Sequence, residues 1–248
     1  MNNYQPANDL LKGKVILVSG ADTDIGCSAA KIYAKHGATV ILLGGHVKEL
    51  ENTYDAIEQA GGPEAAIFPL QPAEATPEKY AELSNIVEKE FGQLDGLLHA
   101  NHRLGELTTI DHFDPEEWAR VLHVNLNVTF LLTQACLPLL RKADNAAIIF
   151  STDKVGQQGK AYWGAYGVSM AGLENLMQTL ADELEANTKI RVNSIDPGAI
   201  QSALRRSAYP GEDIRKLPKP DDVIMPYLYL MGDDSADVSG QHIKAQEE

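Results

Sequence analysis

Seven short strand-like runs, most of them apolar and rich in β-branched residues and most followed by a longer stretch with apolar positions three and four apart, constrain this chain more than any other feature. KVILVS at 14–19 is too short for a helix and has no polar alternation, which marks a strand buried on both faces. TVILL at 39–43 repeats the pattern, and further runs stand at 65–70, 94–100, 146–150, 190–195 and 241–245. Between them, 20–36, 47–59, 77–91, 114–140, 161–186 and 221–231 read as helices, the third with Tyr80, Leu83, Val87 and Phe91 on one face. Strands alternating with helices imply an α/β fold with one doubly wound parallel sheet of about seven strands. At 248 residues and 44% apolar, the chain fits one domain over 1–248, with 1–12 as an N-terminal extension.

A net charge of -14 argues against nucleic acid or an anionic membrane as partner, because both would be repelled at long range. Cys27 and Cys136 have no close spacing, so neither a disulfide framework nor a zinc cage is expected. The first residues, MNNYQPANDLLKGK, hold no apolar core of signal-peptide length, and no uninterrupted apolar run approaches a membrane span. A cytoplasmic protein is the expectation.

Two stretches carry chemistry. Gly20 to Gly26, GADTDIG, turns the first strand into a helix, and such a helix start offers unpaired N–H groups and a positive dipole end to a phosphate. Ser151 to Met170, STDKVGQQGKAYWGAYGVSM, leaves the fifth strand and enters a helix that carries Tyr166. Both stretches resemble the short-chain dehydrogenase/reductase family, the second in a form similar to the YciK-type branch of its bacterial members. The resemblance covers about residues 11–246 and implies a single Rossmann-type domain. It also implies hydride transfer between NAD(P) and a carbonyl or alcohol, with Tyr166 as general acid or base and Asn125 as the helix asparagine of a proton relay. The implied cofactor contacts are Gly20, Asp24, Ile25, Gly26, Asn101, Pro197 and Gly198.

Against that pattern the chain departs at the site itself. The family's serine stands thirteen positions before the tyrosine and its lysine four after, which here are Asp153 and Met170. The middle glycine of TGxxxGxG is Asp24, the NNAG stretch is His99 to His102, and the aspartate expected near the adenine is Gln71. Beyond the second strand, Gly44, Gly45 and His46 include neither an acid for an NAD ribose nor an arginine for an NADP phosphate. Asp24 is expected to cap its own helix and to put negative charge where phosphates would lie. Without the lysine, and with an ionised Asp153 nearby, the Tyr166 pKa should rise rather than fall, and an ionised Asp153 cannot donate a hydrogen bond to a carbonyl. The first reading is therefore a catalytically impaired family member with a structural or regulatory role, in which Asn125 is structural. A second is an active oxidoreductase that uses Tyr166 with a protonated Asp153. A third gathers Asp24, His99 or His102, and Asp153 around a divalent metal. The residues at 199–220 read as a polar substrate loop, and the helices at 114–140 and 161–186 as the surfaces of a homodimer or homotetramer, with association to an active paralogue as a possible regulatory role.

Overall fold

The computed structural model describes residues 4–246, so the ends of the 1–248 domain and of the 1–12 extension lie outside the described residues. Seven strands form one all-parallel sheet in the order β3-β2-β1-β4-β5-β6-β7. They are β1 (Val15–Ser19), β2 (Thr39–Gly44), β3 (Ala66–Pro69), β4 (Gly96–His99), β5 (Ala147–Ser151), β6 (Arg191–Asp196) and β7 (His242–Lys244). The helices are α1 (Asp24–Lys35), α2 (Val47–Gln59), α3 (Pro77–Phe91), α4 (Pro115–Leu122), α5 (Val128–Leu140), α6 (Gly164–Glu185), α7 (Ala203–Ala208) and α8 (Met225–Met231).

The strict alternation of strand side chains divides the core into two layers. Leu17, Leu97, Ile148 and Val192 point to the side covered by α3, α5 and α6. Ile16, Val18, Leu98, Ile149 and Ile195 point to the side of α1, α2 and α8. Because the central strands β1, β2, β4 and β5 are buried on both faces, their runs are largely apolar, whereas the edge strands β3 and β7 are only partly buried. The order reverses between β1 and β4, and the register pairs Ser19 with His99, so a crevice opens at those strand ends.

Helices α4 and α5 join through a π turn over His123–Asn127 into one continuous rod. Asp114 caps its start by accepting from the N–H groups of Glu116 and Glu117, both at 3.2 Å, and Pro115 fits the first turn, where no N–H is needed. This rod, Pro115–Leu140, is long and apolar enough to cross a membrane by length and composition, although polar residues interrupt its apolar sequence. Its apolar side, through Val128, Leu132, Cys136 and Leu139, lies in the core against the sheet.

Two local expectations are corrected. Helix α6 begins at Gly164, three residues later than the pattern suggested, because Tyr162 adopts the left-handed conformation at φ 74° and breaks the helical path. The stretch read as one helix at 221–231 is a short 3₁₀ turn, Pro220–Val223, followed by α8.

Candidate functional site

The glycine loop after β1 is shaped by close approach. Gly20 has φ 82°, and a Cβ there would stand 2.8 Å from the backbone of Ala100 and Asn101. A Cβ on Gly26 would lie 1.9 Å from the Gly20 carbonyl oxygen, so this position admits only glycine. The helix cap is Thr23, whose hydroxyl accepts from Gly26 N–H at 3.3 Å and donates to the Gly20 carbonyl at 2.7 Å. This corrects the expectation for Asp24. Its carboxylate does not cap α1 but reaches across the crevice to accept from Ala203 N–H at 2.8 Å, at the start of α7.

A second carboxylate closes the far end. Asp22 accepts from Gly45 N–H at 2.9 Å and His46 N–H at 2.8 Å, with His46 Nδ1 at 2.9 Å from the same oxygen. The exit of β2, which lacked a selecting residue by sequence position, thus receives an acid from the glycine loop. Gln71 stands beside it, donating to the Gly45 carbonyl at 2.9 Å, and a Cβ on Gly45 would meet its side chain at 2.3 Å.

A cavity of about 850 Å3 runs from this end along the strand tips to α7. Asp24, Ile25, Asp153, Tyr166, Pro197 and Gly198 line it. Gly20, Gly26 and Asn101 shape the loops behind the lining, and one buried hydrogen-bond donor of Asn101, Nδ2, has no partner. Asn125 is fully buried in the π turn, where it accepts from Arg103 N–H at 2.7 Å and donates to the Arg103 carbonyl and the Ser169 hydroxyl. Its hydrogen bonds tie the loop after β4 to α4–α5 and α6, a structural bracket set back from the cavity.

Tyr166 is buried, at 3% exposure, with its ring edge-on to His102 and tilted against Trp163. Among the described residues its hydroxyl has no hydrogen-bond partner. One turn on, Met170 is fully buried in the apolar core, so no cation stands at that position of the helix. Burial pushes the Tyr166 hydroxyl well above 10, and the carboxylates of Asp153 and Asp196 push it further. Asp153 caps a short turn by accepting from Val155 N–H at 3.0 Å, and burial raises its own pKa, with Asp196 adding to the rise against the hydrogen bond and the more distant Arg205 and Lys154.

The two histidines part company. His102 lines the cavity, and burial holds its ring at a pKa of about 4, with His102 therefore neutral. His99 lies inside the core, stacked on Phe150 and 2.9 Å from the Thr133 hydroxyl, with burial lowering it to about 3. The metal arrangement is thus not assembled: among the described residues no group of three or more His, Cys, Asp or Glu side chains comes together in a ligating cluster.

Sequence reading missed three contributors. Asp22 is near its partners only in space. The six-residue helix α7, hidden in the polar loop, brings Leu204, Arg205 and Ala208 to the cavity. Below the floor, Glu174 accepts from Thr152 at 2.6 Å and Ser194 at 2.8 Å and meets His242 Nδ1 at 2.9 Å. Burial opposes the Glu174 charge, but these bonds outweigh it and hold its pKa low. Its spacing of eight from Tyr166, two helical turns, was the available signal.

With this geometry in hand, the comparisons fall in one group. The sequence profile described as short chain dehydrogenase matches residues 14–213. The oxidoreductase YciK of Escherichia coli K12 is 43% identical over 244 residues, covering 98% of this chain and 96% of that one. A short chain dehydrogenase structure from Pseudomonas syringae superposes with a TM-score of 0.96 at 48% identity, covering 98% of this chain and 99% of the other. One from Escherichia coli CFT073, complexed with NADPH, gives 0.94 at 42% identity, covering 98% and 100%.

Proposed function

We propose that this chain, which belongs to the short chain dehydrogenase family, keeps the family's frame without its hydride transfer and acts as a non-catalytic, structural or regulatory member. The observation that carries this reading is Met170, fully buried one helical turn from Tyr166. A tyrosine with a free pKa near 10 becomes a useful acid or base near neutrality only if a neighbouring cation lowers it. Here burial and two carboxylates act in the opposite direction.

The residues of the crevice do not fit a dinucleotide. A phosphate bound at the glycine loop would share the start of α1 with the Asp24 carboxylate, and Asp22 occupies the β2-exit amides that a ribose 2′-phosphate would approach. At effective dielectric constants of 20 to 80, two unit charges 5 Å apart repel by about 1 to 3 kcal/mol. No step is therefore derived through NAD(P) for this chain. Titration with NADH and NADPH, read by the fluorescence of Trp118 and Trp163, tests the proposal; saturable micromolar binding with turnover of any carbonyl would overturn it.

One observation favours the second reading, an NAD(P)-dependent oxidoreductase. The raised pKa of Asp153 brings a protonated, hydrogen-bond-donating carboxyl closer to neutral pH. The same titration separates the two. For assembly, Phe130 on α5 and Val168 on α6, 47% and 49% exposed, support a homodimer or homotetramer built on these helices, with pairing to an active paralogue as its regulatory form. The charge of -14 supports a protein without nucleic acid or an anionic membrane as partner. Light scattering at micromolar concentration tests assembly, and a monomer would count against it.

A further inference from the structure

The inner half of the crevice has an unbalanced charge. Asp196, at the tip of β6, is 6% exposed and accepts from Gly198 N–H at 2.8 Å with one oxygen. Asp153, at the tip of β5, accepts from Val155 N–H with one oxygen. Among the described residues the second oxygen of each has no partner, and neither carboxylate has a cation within ion-pair distance. Both face the cavity that Tyr166 faces, and both act on its hydroxyl, which opens on the cavity and has no hydrogen-bond partner among the described residues. Of the cations of the lining, Arg205, Lys154 and Lys160 form no ion pair with either carboxylate, although Arg205 and Lys154 act on Asp153, and Lys244 lies across from Asp196 on the next strand. Arg205 is held by both oxygens of Glu212 at 2.6 and 2.8 Å, and Lys160 donates to the Tyr209 hydroxyl at 3.0 Å. Lys154 is exposed beside Asp153, and Lys244 is exposed on β7.

The walls suit a cation with an apolar arm. Trp163, 6% exposed, lies between the rings of Tyr166 and Tyr209 at centroid distances of 5.7 and 5.8 Å. At the exposed rim an ammonium already rests on these rings: Lys160 Nζ is 5.7 Å from the Trp163 centroid and 5.3 Å from that of Tyr209. Val155 and Ile200 add buried apolar surface, and the neutral His102 ring sets no positive charge against a cation. Aromatic faces beside one buried and one half-buried carboxylate together recognise an organic ammonium, and the charge of -14 draws cations toward the molecule.

We propose that the inner crevice binds a small organic ammonium ion with an aromatic or apolar arm, the charge held by Asp153, Asp196 and the Tyr166 hydroxyl and the arm against Trp163. This rests on the reading of the crevice as free of a dinucleotide.

The test is calorimetric titration of the full chain with benzylamine, and with benzyl alcohol and benzoate as neutral and anionic counterparts of similar size. Benzylamine should bind saturably, benzyl alcohol at least about ten-fold more weakly, and benzoate not at all within the same range. Asp153→Asn keeps an oxygen for Val155 N–H, so its melting temperature should stay close to that of the unsubstituted chain while benzylamine affinity falls about ten-fold. Trp163→Phe, which keeps an aromatic face of weaker attraction, should give a smaller loss. Failure of benzylamine to bind, equal binding of benzyl alcohol, or an unchanged affinity in a folded Asp153→Asn variant would each overturn the proposal. NADPH titrated in parallel distinguishes the two readings. NADPH binding with turnover sinks the non-catalytic reading, whereas silence from both NADPH and benzylamine sinks only the ammonium site.

Discussion

Replacing Asp22 by serine removes a carboxylate that is 5% exposed and satisfies two backbone N–H groups at 2.9 and 2.8 Å. Hydrogen bonds to a charged acceptor contribute about 1.5 to 3 kcal/mol each, and the serine hydroxyl can recover part of one. The third contact, to His46, adds little because that side chain is 75% exposed. The net cost is then about 3 to 5 kcal/mol, which lowers the melting temperature of a chain this size by roughly 6 to 15 °C. The same change leaves the Gly45 and His46 amides pointing into a space without negative charge. Adenosine 2′,5′-bisphosphate at ten times its dissociation constant should then restore about 1.4 kcal/mol to Asp22→Ser, whereas adenosine 5′-phosphate, which lacks the 2′ group, should restore less. Thermal melts of both proteins with both nucleotides check this. A variant that melts within 2 °C of the unsubstituted chain would refute the assigned strength of these bonds. Equal stabilisation of both proteins by the 2′-phosphate would refute the claim that Asp22 holds that position.

Tyr162→Gly should raise stability by up to about 1 kcal/mol, read as a denaturant midpoint, because a left-handed conformation costs a side chain about 1 to 2 kcal/mol and this ring, 58% exposed, has limited packing to lose. Gly26→Ala should cost about 3 kcal/mol or more, or prevent folding, since its methyl would enter the Gly20 carbonyl; wild-type stability would show that the loop relaxes freely. His102→Gln should flatten the acid sensitivity. The folded pKa of about 4 lies below the ordinary 6.5, so the unfolded chain takes up the proton first and stability falls as pH drops from 6.5 toward 4. Between pH 7.5 and 5 the variant should lose about 2 kcal/mol less than the unsubstituted chain in urea titrations, and an equal loss would remove His102 from the acid response.

The frame was legible because burial on two faces writes the same signal at the central strands: Ile16, Leu17 and Val18 alternate between the two core layers, yet all three must be apolar. Boundaries were less legible, since Lys14 and Leu94 continue a run whose hydrogen-bonded ladder begins later. At the site, Asp153 and Met170 could be read because helix spacing and a short turn fix their distance from Tyr166. Asp24 could be located but not oriented. Its partner, Ala203 N–H, is 179 residues away, and a six-residue helix such as ALRRSA is too short to show an amphipathic period. Asp22 was illegible for the same reason, as its amide partners belong to the next strand's exit rather than to its own loop.

The residues at positions 22, 24 and 170 share one property, whatever chemistry the crevice supports. A lysine at 170 would have to carry its charge among Tyr166, Leu173 and the apolar layer under α6, whereas Met170 packs there with no exposed surface. A glycine at 24 would leave the Ala203 N–H without the carboxylate it now has, and would put a poor helix former in the first turn of α1. A small residue at 22 would leave the two β2-exit amides open. In each place the residue present is satisfied within the chain, by a hydrogen bond or by packing. A binding cleft pays for readiness with unpartnered polar groups, and relaxing that demand lets the same frame gain stability. By this argument the unpartnered oxygens of Asp153 and Asp196 and the Tyr166 hydroxyl are the exception that matters. Where Asp22 and Asp24 are matched internally, these groups open on one cavity and mark the part of the cleft that the proposed ligand would occupy.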